Sequence, residues 1–378
     1  MRILFTGGGT GGHIYPILAI AEELKRLAET RSIDLEMRYF GAPANYQVLL
    51  ENAGIRVSKI LSSKLRRYFD WRNFVDIPIY FPLSIVQSLW KVFWYMPDVL
   101  FSKGGPGALA VVLVCRFYRI PAVIHESDAV PGLTNQLSSR YAQKIIISFE
   151  SAKEYFGENV ILAGNPVRQS LMTPGVNQEA AKTMLGFAPD KPLLLFISGS
   201  QGASRINDFV LDILPELIPA SGWQVFHQAG LQNFEIVKRE FEVVAKNMSP
   251  EEKMKYKVVP YLENNLKEAY LAADVVVSRA SSSIFEFAAF GKPTILIPLP
   301  EAVVGNHQIK NAYEYAETGA AIVMEENNLK PNIFLTQVRQ LIANPEKLRA
   351  MSEAAKKFAK PEAAKIIAEE IIKLGSRG

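Results

Sequence analysis

Cysteine is nearly missing from this chain. Cys115 stands alone, so no intrachain disulfide can form, which fits a reducing compartment. Charge imbalance is also slight: 42 basic against 38 acidic side chains leave a net +4, too little to imply a nucleic-acid partner. The four histidines do not fall with Asp, Glu or Cys at metal-ligand spacing, so no metal site is expected. The N-terminus lacks a cationic stretch followed by an apolar run and a cleavage site. No export signal is therefore expected, and Met1 leads directly into a core strand. What is present is bulk: 378 residues, 49% of them apolar, are enough for two domains with substantial cores.

The chain is organised around Thr6-Gly7-Gly8-Gly9-Thr10-Gly11-Gly12-His13, between a short apolar strand and a helical pattern over about 15–28. Glycines let other groups approach backbone N–H donors closely, and a strand–turn–helix aims the positive helix end at the turn. Gly7, Gly9 and Gly12 also spell G-x-G-x-x-G, which alone suggests a dinucleotide. That reading requires an acid at the end of the second strand, where Tyr39-Phe40-Gly41 stands instead. A phosphate-approach loop is therefore favoured, against the alternative of a turn that only packs helix on sheet.

Short apolar runs alternate with helical patterns throughout, which predicts an α/β fold with parallel sheets. The halves echo one another in order: Leu4–Gly7 with Phe196–Gly199, Pro97–Gly104 with Ala273–Ala280, and Ile120–His125 with Lys292–Ile297. Two Rossmann-like domains in tandem follow, facing a cleft, because ligands of such sheets bind beyond the strands' carboxyl ends. The expected domains are 1–163, 164–344, and a pair of C-terminal helices in 345–378 returning towards the N-terminal domain.

Between Lys59 and Lys103 lie seven Lys or Arg against three acids, together with Trp71, Trp90 and Trp94. The apolar density around them favours a membrane surface over nucleic acid. The helix predicted over 82–95 spans roughly 22 Å, short of the ~30 Å hydrocarbon core, so it is expected to dock and not to cross. Lys64, Arg66, Arg67 and Arg72 are placed to meet anionic headgroups, with Trp90 and Trp94 as the apolar anchors. Packing of this helix against the first sheet is the competing expectation. Its polar residues Ser84, Gln87, Ser88, Lys91 and Tyr95 form only a narrow stripe.

Four polar stretches fall where strands end. They are the first glycine turn; Lys103-Gly104-Gly105-Pro106-Gly107, followed one unit later by His125-Glu126-Ser127-Asp128; Ser198-Gly199-Ser200-Gln201-Gly202-Ala203; and Ser278–Glu286 with Gly305–Asn311. The glycine turn, His125-Glu126 with Gly132-Leu133-Thr134-Asn135, Gly164-Asn165-Pro166-Val167-Arg168 and Gly199–Ala203 together resemble the MurG family. These are the bacterial peptidoglycan N-acetylglucosaminyltransferases, and the resemblance covers residues 3 to about 325 in order.

The resemblance implies a GT-B fold of two Rossmann-like domains. It also implies inverting transfer of N-acetylglucosamine from UDP-GlcNAc to the C4 hydroxyl of the N-acetylmuramoyl unit of lipid I, giving lipid II. It places the chain as a peripheral protein on the cytoplasmic face of the cell membrane. No cofactor is implied, since UDP-GlcNAc is a substrate. Donor contacts are implied at Thr10, Gly11, Gly12, Asp128, Arg168, Ser200, Leu262, Ser282, Glu286 and Gln308. Acceptor-diphosphate contacts are implied at Gly9, Gly104 and Gly105. His13 is the expected general base, since an imidazole suits proton transfer near neutrality. Glu126 and Asp128 are the alternatives.

Three departures stand out. Asp128 replaces the family's usual Asn, Pro106 replaces an aromatic residue, and the loop 279–286 is one residue short. Competing readings are a packed imidazole at His125, a core His227, a solvated or capping Glu286, an inter-domain Arg168, and helix capping by Ser281–Ser283. Two rival functions stay open: a UDP-GlcNAc epimerase of the same fold, and a non-catalytic sugar-nucleotide sensor.

Overall fold

The computed structural model describes residues 1–62, 76–199, 202–301 and 306–376. Lys64, Arg66, Arg67, Arg72, Ser200 and Gly305 lie outside the described residues. The chain divides into two compact units: 1–169 with 360–378, and 170–359.

Unit 1 is a seven-stranded sheet in the order β3-β2-β1-β4-β5-β6-β7. Its strands are β1 Arg2–Gly7, β2 Glu36–Gly41, β3 Ile55–Lys59, β4 Val99–Ser102, β5 Ala122–Glu126, β6 Lys144–Ile147 and β7 Ile161–Leu162. Unit 2 is a six-stranded sheet in the order β10-β9-β8-β11-β12-β13. Its strands are β8 Leu193–Ile197, β9 Gln224–Gln228, β10 Tyr256–Val259, β11 Val275–Ser278, β12 Thr294–Leu296 and β13 Ala321–Val323. All pairings are parallel. Central strands such as Leu193–Ile197 are buried at every position, because helices cover both faces of a parallel sheet. Each of the six echoing segments falls on a strand: β1 and β8, β4 and β11, β5 and β12.

In both sheets the order reverses beside the first strand, between β1 and β4 and between β8 and β11. Ligands of parallel sheets bind at the carboxyl ends beside such a reversal. Ile3, Phe5, Ile14, Ile17 and Ile20 form one core layer of unit 1. Leu4, Phe40, Val92, Tyr95 and Val112 form the layer on its other face. Unit 2 is built on Leu194, Phe196, Ile206, Trp223 and Phe334.

Two elements depart from expectation. The first helix runs Gly11–Thr30 and so starts inside the glycine run. Burial of Ile14 and Ile17 carries it through residues of poor helix propensity. The C-terminal helices do not travel together. Pro345–Phe358 stays with unit 2, where Phe358 meets the rings of Phe285 and Tyr315 at 5.3 and 4.9 Å. Ala363–Gly375 belongs to unit 1, with Ile367, Ala368, Ile371 and Ile372 in its core.

The helix Phe81–Tyr95 turns its narrow polar stripe inward, which leaves the expected anchors Trp90 and Trp94 outward. Ser84, Ser88 and Tyr95 are buried, while Val86, Trp90, Phe93 and Trp94 are 53–68% exposed. The buried hydroxyls are satisfied locally. Ser84 donates to the Phe81 carbonyl and Ser88 to the Ser84 carbonyl, both at 2.7 Å. The Tyr95 hydroxyl reaches the carbonyls of Ile3 and Glu36 at 3.1 and 3.0 Å. Lys91 Nζ donates to the Lys59 carbonyl and Gln87 Oε1 accepts from the Leu61 N–H, pinning the helix to the end of β3.

Candidate active site

In unit 1 the exits of β1, β4 and β5 lie side by side, with Thr6 paired to Ser102 and Ser102 to Ile124. Lys103 N–H donates to the Thr6 carbonyl at 2.9 Å. The buried Tyr39 hydroxyl donates to the Gly7 carbonyl at 2.7 Å, so the second strand's end supports the turn where a dinucleotide site would carry an acid.

Not every glycine here faces a ligand. A Cβ on Gly9 would lie 2.4 Å from the Ala42 carbonyl oxygen, so this residue is needed for packing against the loop after β2. Gly105 has φ +85°, and a Cβ there would meet His13 Nε2 at 2.8 Å and Gly8 N at 2.9 Å. It thereby lets the two glycine turns close on each other.

Thr10 is the N-cap of the first helix, yet its side chain does not cap the backbone. Its Oγ1 lies 2.7 Å from His13 Nδ1 instead. The helix N-terminus thus keeps its anion-attracting character, since no side-chain oxygen occupies it. His13 is half-buried, and desolvation together with the Lys103 charge pushes its pKa down to about 3. The imidazole is neutral at pH 7.

Glu126 is 4% exposed and has both carboxylate oxygens engaged. Oε1 accepts from Asp128 N–H at 2.9 Å; Oε2 accepts from Gly132 N–H at 3.1 Å and from Asn135 Nδ2 at 2.9 Å. Burial, then the Asp128 charge, pushes its pKa up. It works as the organiser of the loop that presents Asp128, itself half-buried.

His125 is fully buried, within 3.0 Å of the Gly164 carbonyl oxygen and 3.1 Å of Ser148 Oγ, and it stacks on Phe101. His227 is held between Tyr256 and Asn207. Both are packed imidazoles. Arg168 belongs to unit 1, with its guanidinium 4.1 Å over the Tyr15 ring, one turn along the first helix from Gly11.

In unit 2, Gln228 ties two strand exits together. Its Nε2 donates to the Gly199 carbonyl at 2.7 Å and its Oε1 accepts from Leu262 N–H at 2.9 Å. The Leu262 N–H is therefore spent. Glu286 is half-buried, and its Oε2 accepts from the buried Tyr270 hydroxyl at 2.7 Å. Gln308 Oε1 accepts from Leu299 N–H, so its amide NH₂ is the end left to donate. Ser281 and Ser283 bond one another and do not cap the helix Ile284–Ala289, while Ser282 is half-buried between them. Arg279 is buried against Glu326, which also meets Arg205 at 3.3 Å.

Sequence reasoning placed the loops but missed Asn135, Gln228 and Tyr270 as their supports. An amide or phenol beside a strand gives no local signal of the loop it holds.

Two parallel Rossmann-like sheets, each with its order reversing beside the first strand, are the architecture of the GT-B fold, and the family matches make the chain a glycosyltransferase. The Glycosyltransferase family 28 N-terminal domain matches residues 3–147, and the Glycosyltransferase family 28 C-terminal domain matches residues 193–367. A Clostridium kluyveri protein named UDP-N-acetylglucosamine–N-acetylmuramyl-(pentapeptide) pyrophosphoryl-undecaprenol N-acetylglucosamine transferase is 35% identical over 376 residues, covering 94% of this chain and 97% of that protein. A Bacillus cereus protein of the same name, numbered 2, is 34% identical over 373 residues, covering 98% of this chain and 99% of its own. The crystal structure of Acinetobacter baumannii MurG superposes with TM-score 0.75 at 25% identity, over 98% of this chain and 99% of that one. The chain belongs to this MurG family of UDP-sugar glycosyltransferases. A UDP-GlcNAc 2-epimerase from Neisseria meningitidis shares the fold, with TM-score 0.69 over 99% of this chain and 100% of that one, at only 15% identity.

Proposed function

We propose that this protein transfers N-acetylglucosamine from UDP-GlcNAc to the C4 hydroxyl of the N-acetylmuramoyl unit of lipid I, with inversion, to give lipid II. The full-length likeness to relatives of that name carries the reading. In the proposed reaction the C4 oxygen attacks the sugar's C1 as the bond from C1 to the diphosphate oxygen breaks. UDP leaves, and the hydroxyl proton passes to His13. With Nδ1–H donating to Thr10 Oγ1, the Nε2 lone pair is the one that accepts it. Charge on the leaving diphosphate is met by backbone N–H groups and helix N-termini.

In this reading unit 2 holds UDP-GlcNAc through the Leu262 carbonyl, Glu286, the Gln308 amide and Ser200. Unit 1 takes the acceptor. Its exposed face of Trp90, Phe93 and Trp94, with Phe117 72% exposed, rests on the cytoplasmic membrane surface. Among the described residues no helix is long and apolar enough to cross a membrane.

The test is incubation with UDP-GlcNAc and a short-chain lipid I analogue. A β-linked disaccharide product with stoichiometric UDP supports the proposal. Binding of UDP-GlcNAc without turnover, or formation of its 2-epimer, overturns it.

A further inference from the structure

Lys103 has no place in the scheme above, although it sits at the exit of β4 between the two glycine turns. It is 3% exposed. Among the described residues its ammonium has no hydrogen bond and no ion pair; only its backbone N–H is engaged, on Thr6. Buried cations are ordinarily paired, because desolvation is costly. Glu126, the nearest candidate, is already occupied by three N–H donors.

The side chain leaves β4 towards the first turn, where a Cβ on Gly7 would touch Lys103 Cβ at 3.4 Å. Its charge is felt by His13 and His125, and it feels Glu126 and Asp128. Burial pushes its pKa down to about 8, with the two carboxylates resisting, so it remains largely charged at neutral pH. Around it are the close-packed glycine turns and a helix N-terminus that no side chain caps. A nearly buried ammonium with no hydrogen bond among the described residues, beside a helix N-terminus and two glycine turns as well as the carboxylates of Glu126 and Asp128, is a group that can receive an anion.

We propose that Lys103 is the cation by which unit 1 binds the diphosphate of its acceptor. The proposal rests on the function proposed above and adds a residue to it. Two substrates carry the required chemistry, the nucleotide and the prenyl-linked acceptor. The acceptor is favoured because Lys103 shares its unit with the exposed aromatic helix, whose last residue, Tyr95, lies eight positions earlier in the chain. A lipid-linked diphosphate would arrive at that unit.

The experiment compares wild type with Lys103→Met, which keeps most of the side chain's length and removes its charge. Steady-state kinetics use UDP-GlcNAc and a short-chain lipid I analogue, with geranyl diphosphate as an acceptor-side inhibitor. The expected result is an acceptor KM raised about tenfold or more, the loss of one charge-assisted hydrogen bond. Geranyl diphosphate should weaken in parallel, and KM for UDP-GlcNAc should stay within about twofold. Lys103→Arg should recover much of the acceptor affinity. An unchanged acceptor KM overturns the proposal, and so does a rise confined to UDP-GlcNAc. An equal loss for both substrates with a lowered Tm shows a structural role and also overturns it. Failure of wild type to glycosylate the analogue would refute the proposed function itself, so the two failures are distinguishable.

Discussion

At the scale of single residues, His13 and Glu126 stand near strand exits in different surroundings. His13 is neutral, contacts Thr10 and closes against Gly105. His13→Ala is expected to lower kcat by ~10²–10⁴-fold, the usual cost of losing a general base. Near-normal turnover at saturating substrates would show that the proton goes elsewhere. Glu126 looked like an alternative base in the sequence, but its oxygens are spent on the Asp128–Asn135 loop. Glu126→Gln should therefore destabilise the protein by about 1–3 kcal/mol, because an amide cannot accept from all three donors. Thermal unfolding checks this: an unchanged Tm with abolished kcat would restore Glu126 as the base.

At the scale of elements, the helix Phe81–Tyr95 is the informative one. Its inward serines return their hydroxyls to the helix's own carbonyls, a pattern that lets small polar residues pack tightly. Its outward rings, Trp90 against Trp94 and Phe93 against Trp94, are each 5.7 Å apart and cluster into one surface. Replacing Trp90 and Trp94 with Ser should leave Tm nearly unchanged, since neither ring is in the core. Binding to anionic vesicles should fall by tenfold or more in flotation assays, at about 1.5–3 kcal/mol for each large apolar side chain withdrawn. Wild-type flotation equal to that of the double variant would remove this face from the docking site.

At the scale of the whole molecule, unit 2 is one continuous segment, while unit 1 is completed by the chain's last helix. A fragment of residues 170–359 is expected to fold alone and to bind UDP, checked by calorimetry and by heteronuclear NMR dispersion. The buried Trp223 is its single tryptophan and gives a clean fluorescence probe. Ending the chain at 359 should instead unfold unit 1 by stripping Ile367 and Ile371 from its core. The fragment should also be acid-sensitive. Burial lowers the His227 pKa from 6.5 to about 3, so below pH 6.5 the unfolded chain takes up a proton that the folded one refuses. This contribution is intact above pH 6.5. It is lost at up to ~1.4 kcal/mol per pH unit as pH falls towards 3. Urea midpoints at pH 7.5 and 5.0 should differ less in His227→Gln than in wild type.

Local pattern determined a great deal. Alternating apolar runs and helical stretches specified every strand, because each strand's burial is written in its own residues. Glycine runs after Phe5 and Lys103 marked the two turns that close on each other, since only backbone without Cβ can pack so closely. Tertiary structure decided what depends on partners far apart in the chain. Periodicity drew a polar and an apolar stripe on the helix Phe81–Tyr95, but which stripe faces inward was settled by carbonyls of Ile3, Glu36 and Lys59 that accept its polar groups. Likewise a carboxylate after a strand reads the same whether it removes a proton or holds a loop. Only the three donors folded around Glu126 distinguish the two. The place of the last helix was decided in the same way, by the apolar surface of unit 1 that only the folded sheet presents.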